Sequence, residues 1–132
     1  MMYNIHTGYN GIVRRHNDDI VIVVSSLHRF VSGEVEFVFS DRHANLKLAQ
    51  FSSDLQDLDR IDWASLRARN FRRDDVDRFE RYQAEALVYK KMPVASLMGI
   101  VCHCESATQE ITNMALKAGH HIKVQTLTGW YF

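Results

Sequence analysis

The sequence is poor in the residues that mark disulfide-linked or linker-rich proteins, and it lacks long apolar runs. It has two cysteines, one proline and six glycines among 132 residues. Cys102 and Cys104 are one residue apart, too close for an ordinary disulfide between separate elements, and no secretory signal precedes them. The longest apolar run, residues 20–24, is far shorter than the roughly 20 residues that a transmembrane helix needs. We therefore expect a cytoplasmic protein with no membrane partner.

The chain also lacks an excess of either charge, because 16 lysines and arginines are balanced by 16 aspartates and glutamates. The net charge does not indicate a nucleic-acid partner, so a surface that binds nucleic acid would have to be a local cluster of basic residues. With 46% hydrophobic residues, a chain of this length is expected to form one compact domain over residues 1–132.

Four segments are composed of strand-forming residues. Residues 20–25 and 35–39 are rich in β-branched and aromatic side chains, with Gly33 as a breaker between them. Residues 98–102 and 121–125 have a similar character near the other end of the chain. The pattern predicts strands in all four segments and a central sheet that includes the first three.

A helix is predicted between the last two of these strands. Ser106 and Gln109 have capping-box spacing at its start, residues 111–118 supply an apolar stripe, and Gly119 is placed to end it. The end of the chain is therefore predicted to be β-α-β. The aromatic residues 130–132 are expected to pack on the core.

The middle of the chain, residues 40–82, differs from both ends. Seven of the eleven arginines lie between Arg60 and Arg81, among aspartates and aromatic residues. Such a segment suits a nucleic-acid groove, because guanidinium groups pair with phosphates and stack on bases. It suits equally a solvated surface on which arginine and aspartate neutralise each other. Arg14 and Arg15 form a second basic cluster, for which an ordinary charged turn is the alternative interpretation.

Glu85 and His43 are the side chains of this region that could carry chemistry. Glu85 follows the arginine-rich segment and enters an apolar run, where a carboxylate is exposed, ion-paired or catalytic. His43 follows a predicted strand end, so it either reaches a cleft or forms a hydrogen bond within a turn. Taken alone, neither residue separates the functional interpretation from the structural one.

The segment from Cys102 to Cys104, with His120 and His121, holds the atom types of zinc ligands. A single residue between the cysteines is too few for the usual structural knuckle, which has two or more. Buried cysteines on a strand explain the pattern better, and no metal is predicted.

Several stretches in a fixed order carry a resemblance to one family. Residues 3–12 (YNIHTGYNGI), 37–44 (FVFSDRHA) and 81–88 (RYQAEALV) are the main ones, with residues 61–63, 69–73 and 129–132 as further landmarks. Together they cover essentially the whole chain. The sequence resembles the C-terminal two-thirds of DarT-type DNA ADP-ribosyltransferase toxins.

The resemblance implies an α/β (α+β) fold of the ADP-ribosyltransferase type, with a split β-sheet flanked by helices. It also implies transfer of ADP-ribose from NAD to thymidine in single-stranded DNA, as the toxin of a toxin-antitoxin pair whose antitoxin is a macrodomain protein. The family's catalytic glutamate corresponds to Glu85, and residues 43–85 to the substrate-reading loop that leads to it. We expect a monomer, with NAD as a substrate and no metal.

The DNA-contacting residues suggested by this comparison are His43, Arg14, Arg15, Arg72, Arg73 and Arg81. Family members have a histidine and an arginine that contact NAD in a segment before the equivalent of Met2, and the family assigns proton removal from thymine to an arginine there. We therefore expect this sequence to be N-terminally incomplete, through a misplaced start codon or gene decay. A catalytically inactive fragment that binds single-stranded nucleic acid is the alternative function, and an ordinary interaction domain is a third.

Overall fold

The computed structural model describes residues 2–68 and 74–131, and for Met2, Tyr3 and Asn10 it describes the backbone alone. The strands are β1 (Val21–Val24), β2 (Phe37–Ser40), β3 (Phe51–Ser52), β4 (Glu85–Val88), β5 (Gly99–Cys102) and β6 (Val124–Thr126). The α-helices are α1 (Met2–Thr7), α2 (Leu27–Ser32), α3 (Trp63–Ala68), α4 (Val76–Arg81) and α5 (Glu105–Lys117). Short 3₁₀ helices lie at Tyr9–Gly11, Asn17–Asp19, Leu55–Arg60, Val94–Ser96 and Thr128–Trp130.

The chain divides into two compact units, one formed by residues 1–29 and 93–132 and the other by residues 30–92. The first unit holds a three-stranded sheet in the order β1-β5-β6. β1 and β5 are antiparallel, whereas β5 and β6 are parallel and are connected by α5. Val101 and Cys102 are buried in the middle strand. Tyr131 is buried too, and its hydroxyl contacts the carbonyl oxygens of Ile20 at 2.9 Å and Val101 at 2.8 Å.

Two glycines shape this β-α-β segment. A Cβ atom on Gly99 would lie 2.8 Å from the carbonyl oxygen of Lys123, so the approach of β6 to β5 requires a residue without a side chain. Gly119 has a φ of 77°, and its amide and that of His120 bond back to Leu116 and Ala115. This is a Schellman cap, which ends α5 where the sequence predicts.

The second unit holds an antiparallel sheet in the order β3-β2-β4. Phe37 and Phe39 of β2 are buried together with Phe30 and Ile61, and they form the core of this unit. Between β3 and β4, the helical turns at Leu55–Arg60 and Val76–Arg81 each begin at a polar cap: Asp54 accepts from Gln56 N–H and Asp75 from Arg78 N–H.

Most elements predicted from the sequence are present, with shifted bounds. β1 and β5 lie in one sheet and β2 lies in the other. The prediction of one central sheet that includes all three is therefore wrong, and the split sheet is confirmed. The helix begins at Glu105 with Cys104 as its N-cap, so the predicted capping box at Ser106 is wrong. The strand predicted over residues 121–125 begins only at Val124.

At the end of the chain Tyr131 is buried as expected, but Trp130 is 47% exposed, and Phe132 lies outside the described residues. The prediction of a single domain over residues 1–132 stays a prediction. Within residues 2–68 and 74–131, none of the helices is long and apolar enough to cross a bilayer.

Candidate active site

Glu85 is the first residue of β4, and the strand pairing places it opposite Ser40 at the end of β2. Ser40 is almost completely buried, and its hydroxyl donates to the carbonyl oxygen of Arg42 at 2.6 Å. The carbonyl oxygen of Glu85 lies 3.4 Å from the same hydroxyl. A buried hydroxyl has to find a partner within the protein, and these bonds hold the two chain segments together. The backbone of Glu85 is therefore fixed by the sheet while its side chain projects from the strand end.

The Glu85 carboxylate is held through one oxygen. Oε1 accepts a hydrogen bond from the backbone N–H of Ala44 at 2.8 Å and lies 3.0 Å from Nδ1 of His43. Among the described residues, no hydrogen bond or ion pair reaches Oε2. The side chain is 37% exposed, so the second oxygen can accept from a ligand hydroxyl or face a developing positive charge.

The two contacts of the His43 ring indicate which of its nitrogens carries the hydrogen. Nδ1 lies 3.0 Å from Glu85 Oε1 but 3.4 Å from the backbone N–H of Asn45, and one ring nitrogen cannot both donate to the first and accept from the second. The shorter contact, to a carboxylate, is the stronger one. We therefore assign the Nδ1–H form, which donates to Glu85. In this form Nδ1 accepts no hydrogen bond from the N–H of Asn45.

Arg42 anchors the segment that carries His43. Its guanidinium is 11% exposed and lies 3.4 Å from Asp41 and 3.3 Å from both Asp77 and Glu80, the last two on α4. Burial acts to lower the pKa of Arg42, but the three carboxylates outweigh it and raise the pKa, so the group is always charged. The positive charge thus joins the end of β2 to α4.

Asp41 closes the other side of the same loop. Its Oδ1 accepts from the backbone N–H of Gln50 at 2.9 Å, and its own N–H donates to the carbonyl of Gln50 at 3.2 Å. Residues 41–50 therefore form a closed excursion between β2 and β3. His43 and Ala44 lie inside it, which is why both reach Glu85 although they are far from it in sequence.

Further along, Asp62 holds the start of α3. Its Oδ1 accepts from Ser65 N–H at 2.9 Å and its Oδ2 from the Ser65 hydroxyl at 2.7 Å. These bonds lower the pKa of Asp62.

The predicted DNA-contacting arginines are distributed over both units. Arg81 in the second unit is paired with Asp77 at 2.8 Å, one helical turn away. Arg14 and Arg15 in the first unit are exposed and line a small pocket of about 190 Å³ with His6, His16 and Asn17. Arg72 and Arg73 lie outside the described residues. The structure thus brings His43 to Glu85, and the DNA-contacting role of these arginines stays a prediction.

The cysteine-histidine segment is arranged as a strand end. Cys102 is fully buried in β5, whereas Cys104 caps α5 and His103 pairs with Asp18 at 2.7 Å. Hydrogen bonds from His103 and Cys104 lower the pKa of Asp18. Within the described part of the chain, no three histidine, cysteine or acidic side chains are grouped to hold a metal ion.

Sequence reasoning missed the residues that position this site. Arg42 lies in the stretch of residues 37–44 that carries the resemblance, but the sequence does not single it out. Its low exposure and its carboxylate partners depend on the position of α4 near the end of β2. The contact from Ala44 is made by a backbone N–H, which carries no residue-type signal. The one available clue was the polar run Ser40-Asp-Arg-His43 directly after a hydrophobic strand.

Comparisons with known proteins agree on one family. The family described as "ssDNA thymidine ADP-ribosyltransferase, DarT" matches residues 1–132. The DNA ADP-ribosyl transferase of Escherichia coli O127:H6 (strain E2348/69 / EPEC) is 43% identical over 134 residues, which are 100% of this chain and 62% of that protein. A DNA ADP-ribosyl transferase of Thermus sp. (strain 2.9) is 32% identical over 114 residues, 84% of this chain and 52% of that protein.

Solved structures give the same result for the fold. Thermus sp. 2.9 DarT in complex with carba-NAD⁺ matches with a TM-score of 0.88 at 27% identity, over 99% of this chain and 67% of that one. The same protein in complex with ADP-ribosylated ssDNA matches with a TM-score of 0.88 at 27% identity, over 99% of this chain and 63% of that one. The predicted split-sheet α/β fold is confirmed. The chain spans 62% and 52% of the two curated relatives, and it belongs to the DarT family of ssDNA thymidine ADP-ribosyltransferases.

Proposed function

We propose that this chain carries the catalytic glutamate of an enzyme that transfers ADP-ribose from NAD⁺ to thymidine in single-stranded DNA. The observation that carries the proposal is the Glu85 carboxylate, which His43 and Ala44 hold on Oε1 and whose Oε2 has no partner among the residues that the structure describes. The family match and the names of the relatives, which are DNA ADP-ribosyl transferases, support it. So do structures of Thermus sp. 2.9 DarT with NAD⁺ and with ADP-ribosylated ssDNA.

The reaction exchanges one glycosidic bond for another. The bond between ribose C1 and the nicotinamide nitrogen breaks and its electron pair leaves with nicotinamide. A thymine nitrogen then bonds to the same carbon and releases its proton. The ribose gains positive charge in the transition state, so a fixed carboxylate nearby stabilises that state more than the ground state.

The geometry around Glu85 gives its two oxygens different tasks. Oε1 is occupied by Ala44 N–H and His43, which sets the plane and direction of the carboxylate. Oε2 then accepts from a ribose hydroxyl and places its charge beside the reacting carbon. A carboxylate positioned in advance does not have to reorganise during the reaction, and such positioning is a large part of enzymatic rate enhancement.

We assign DNA reading to residues 43–85, together with His43, Arg14, Arg15, Arg72, Arg73 and Arg81. Arginine contacts to phosphates are sequence-independent and weaken with salt, whereas aromatic stacking adds about 1–3 kcal/mol per base. Arg81 shares its charge with Asp77, so we assign it a smaller share than the exposed Arg14 and Arg15.

The biological setting follows from the product. A bulky ADP-ribose on a thymine blocks base pairing, so a cell that makes this enzyme needs a protein that removes the group. We propose a toxin that acts as a monomer in the cytoplasm, with a macrodomain hydrolase as its antitoxin.

The test is NAD⁺-dependent labelling of a thymidine-containing single-stranded oligonucleotide, measured as the mass increase of one ADP-ribose unit. It uses the chain and, where the reading frame continues upstream of Met1, the extended protein. Glu85→Gln keeps the size of the side chain but removes its charge, and we expect labelling to fall by about 10²–10³-fold or more. Glu36→Gln is the matched control, since Glu36 is an exposed carboxylate in the same unit.

The outcomes separate the candidate functions. Full labelling by Glu85→Gln would show that the glutamate assignment is wrong. Binding of the oligonucleotide without labelling, in the chain and in every extension of it, would favour the inactive nucleic-acid-binding fragment. An oligonucleotide that neither binds nor is labelled would point to an ordinary interaction domain.

A further inference from the structure

The outer face of the second sheet carries exposed apolar side chains next to Glu85. Val38 lies opposite Leu87 in the strand pairing, and Leu87 is two residues after Glu85, so these three side chains project from the same face. Phe51 of β3 projects from this face as well. Val38, Leu87 and Phe51 are exposed, whereas the two phenylalanines of β2 project from the opposite face and are buried. The solvent face of an antiparallel sheet is usually polar, so this face is suited to contact a flat, apolar group.

Tyr89 continues the same face beyond the last residue of β4. Its backbone N–H donates to the carbonyl of Glu36 at 2.9 Å, which extends the pairing of β4 with β2 by one residue. Side chains two residues apart on a strand share a face, so Glu85, Leu87 and Tyr89 stand in a line. With a rise of about 3.3 Å per residue, Tyr89 lies about 13 Å from Glu85 along the strand. Its side chain is 60% exposed, so the ring can be reached by a ligand.

Two cations follow at the Tyr89 end of this line. Lys90 Nζ lies 4.7 Å from the centroid of the Tyr89 ring, and Lys91 is exposed. Lys90 has a φ of 58°, in the left-handed region that residues with a side chain rarely adopt outside ligand sites and turns. The N–H of Lys91 donates to the carbonyl of Tyr89 at 2.7 Å and closes the turn. The backbone therefore sets the lysines beside the ring.

The charge of these lysines is available to an anion. Within residues 2–68 and 74–131, neither Lys90 nor Lys91 forms an ion pair, whereas Arg42, Arg60 and Arg81 of the same unit each do. We call Glu85, Leu87 and Tyr89, with the two lysines at the end, the β4 row. It presents a carboxylate, an apolar side chain, an aromatic ring and cations in that order.

A single strand of DNA has groups that match this order. The base that reacts has to lie next to the ribose carbon that Glu85 serves, and the strand continues from that base. Aromatic side chains stack with bases, and lysines pair with phosphates. A second protein chain would use the apolar side chains but would not require two adjacent cations without carboxylate partners.

We propose that the DNA strand runs along the β4 row, with a base that flanks the reacting thymidine stacked on Tyr89 and the neighbouring phosphate bound by Lys90 and Lys91. The inference rests on the proposed function, and it extends the DNA contact past Glu85, beyond residues 43–85. Tyr89 would then contribute to affinity for every flanking base, because each base has a face that can stack.

The experiment measures binding of two fluorescent eight-residue probes by anisotropy: an oligothymidylate and an abasic sugar-phosphate strand of the same length. The variants are Tyr89→Leu, which removes the ring, Tyr89→Phe, which keeps it, and Lys90→Gln/Lys91→Gln. The matched control is Lys117→Gln/Lys123→Gln, which removes two exposed cations of the first unit. The lysine variant changes exposed side chains only, so it keeps the test decisive if Tyr89→Leu does not fold.

We expect Tyr89→Leu to weaken binding of the oligothymidylate at least about fivefold and to leave binding of the abasic strand unchanged, because only stacking is lost. Tyr89→Phe should stay within twofold of the starting protein. Lys90→Gln/Lys91→Gln should weaken binding of both probes, and the slope of log affinity against log salt should become shallower by about 0.7 for each phosphate contact removed. The control should bind both probes like the starting protein.

The proposal is overturned if the chain binds neither probe, if Tyr89→Leu binds the oligothymidylate like the starting protein, or if the two lysine variants behave alike. It is also overturned if sedimentation shows a dimer that Leu87→Gln separates, since a second copy would then cover the face. Failure of the proposed function looks different, because it is the absence of labelling. Binding that depends on Tyr89 in a protein that labels nothing would leave the β4 row standing, and normal labelling with binding indifferent to Tyr89 would remove the row alone.

Discussion

His43 Nδ1 and Glu85 Oε1 are 3.0 Å apart, although 42 positions separate the two residues in the sequence (85 minus 43). The contact exists because His43 lies in the closed excursion of residues 41–50, while Glu85 begins the strand that pairs with β2. A hydrogen bond of this kind orients a carboxylate and restricts its rotation. It makes His43 a positioning residue for Glu85.

His43→Ala should therefore lower oligonucleotide labelling by at least about tenfold, because the carboxylate would keep only the Ala44 N–H. The measurement is labelling in four proteins: the starting protein, His43→Ala, Glu85→Gln and the double variant His43→Ala/Glu85→Gln. If His43 acts through Glu85, it should have little further effect once Glu85 is changed. Equal fold-losses from His43→Ala in both backgrounds would show that the histidine acts independently.

Arg42→Gln should destabilise the protein. The guanidinium is nearly buried, and its removal would take the cation away from Asp41 and Glu80 and leave Asp77 with Arg81 alone. Because Asp77 is largely exposed, water offsets part of this loss, and we expect the free energy of unfolding to fall by about 1–3 kcal/mol.

Urea unfolding provides the measurement for Arg42, and Arg60→Gln provides the control. Arg60 forms an exposed pair with Asp57 at 2.8 Å, which should contribute less than about 0.5 kcal/mol. Equal destabilisation by the two changes would contradict the anchoring role of Arg42.

Asp62 should contribute to stability in a pH-dependent way. Its pKa is lowered below the ordinary 3.8 by the two bonds from Ser65, so its contribution is complete above that pH. It is lost as the pH falls through the lower pKa of the folded state. Asp62→Asn keeps one acceptor and should cost about 0.5–1.5 kcal/mol at pH 7.

Denaturant unfolding at pH 7 and below pH 3.8 tests this assignment. The difference in stability between the starting protein and Asp62→Asn should shrink on acidification, since the carboxylate becomes protonated in one protein and is absent from the other. The exposed Asp59→Asn should show no such convergence. A difference that is independent of pH would contradict the ionic part of the argument.

Tyr131→Phe should lower the free energy of unfolding by about 1 kcal/mol, because it leaves the carbonyls of Ile20 and Val101 without the hydroxyl. Burial, followed by the nearby Cys102 and Cys104, raises the pKa of Tyr131 above 10.0. The unfolded chain would therefore lose this proton first, and stability would fall as the pH rises above 10. Thermal unfolding at pH 7 measures the loss of the hydroxyl, and thermal unfolding above pH 10 measures the alkaline fall in stability. Tyr9→Phe, at an exposed tyrosine, is the control. If Tyr131→Phe loses as much stability above pH 10 as the starting protein does, the raised pKa of Tyr131 is not the cause of that fall.

The positions of Glu85 and Arg42 show where prediction from the sequence ended. The sequence indicates that Glu85 enters an apolar run, but it does not predict a strand there, because residues 85–88 do not alternate and their partner strand lies far earlier in the chain, with Ser40 opposite Glu85. Arg42 was one arginine among eleven in the sequence. Only the fold distinguishes it, by burying it among three carboxylates.

Local preference determined what the sequence could show by itself. The β-branched run that became β1, the apolar stripe of α5 and the left-handed Gly119 depend on residues that are close in the chain. Ordered motifs also indicated the family, since a set of short stretches in one order is specific even when each is weak.

The tertiary structure alone decided which groups surround the carboxylate. Strand pairing and loop closure brought His43, the N–H of Ala44 and Glu85 together, because β2 and the nearly buried Arg42 bind partners that are distant in sequence, β4 and Glu80.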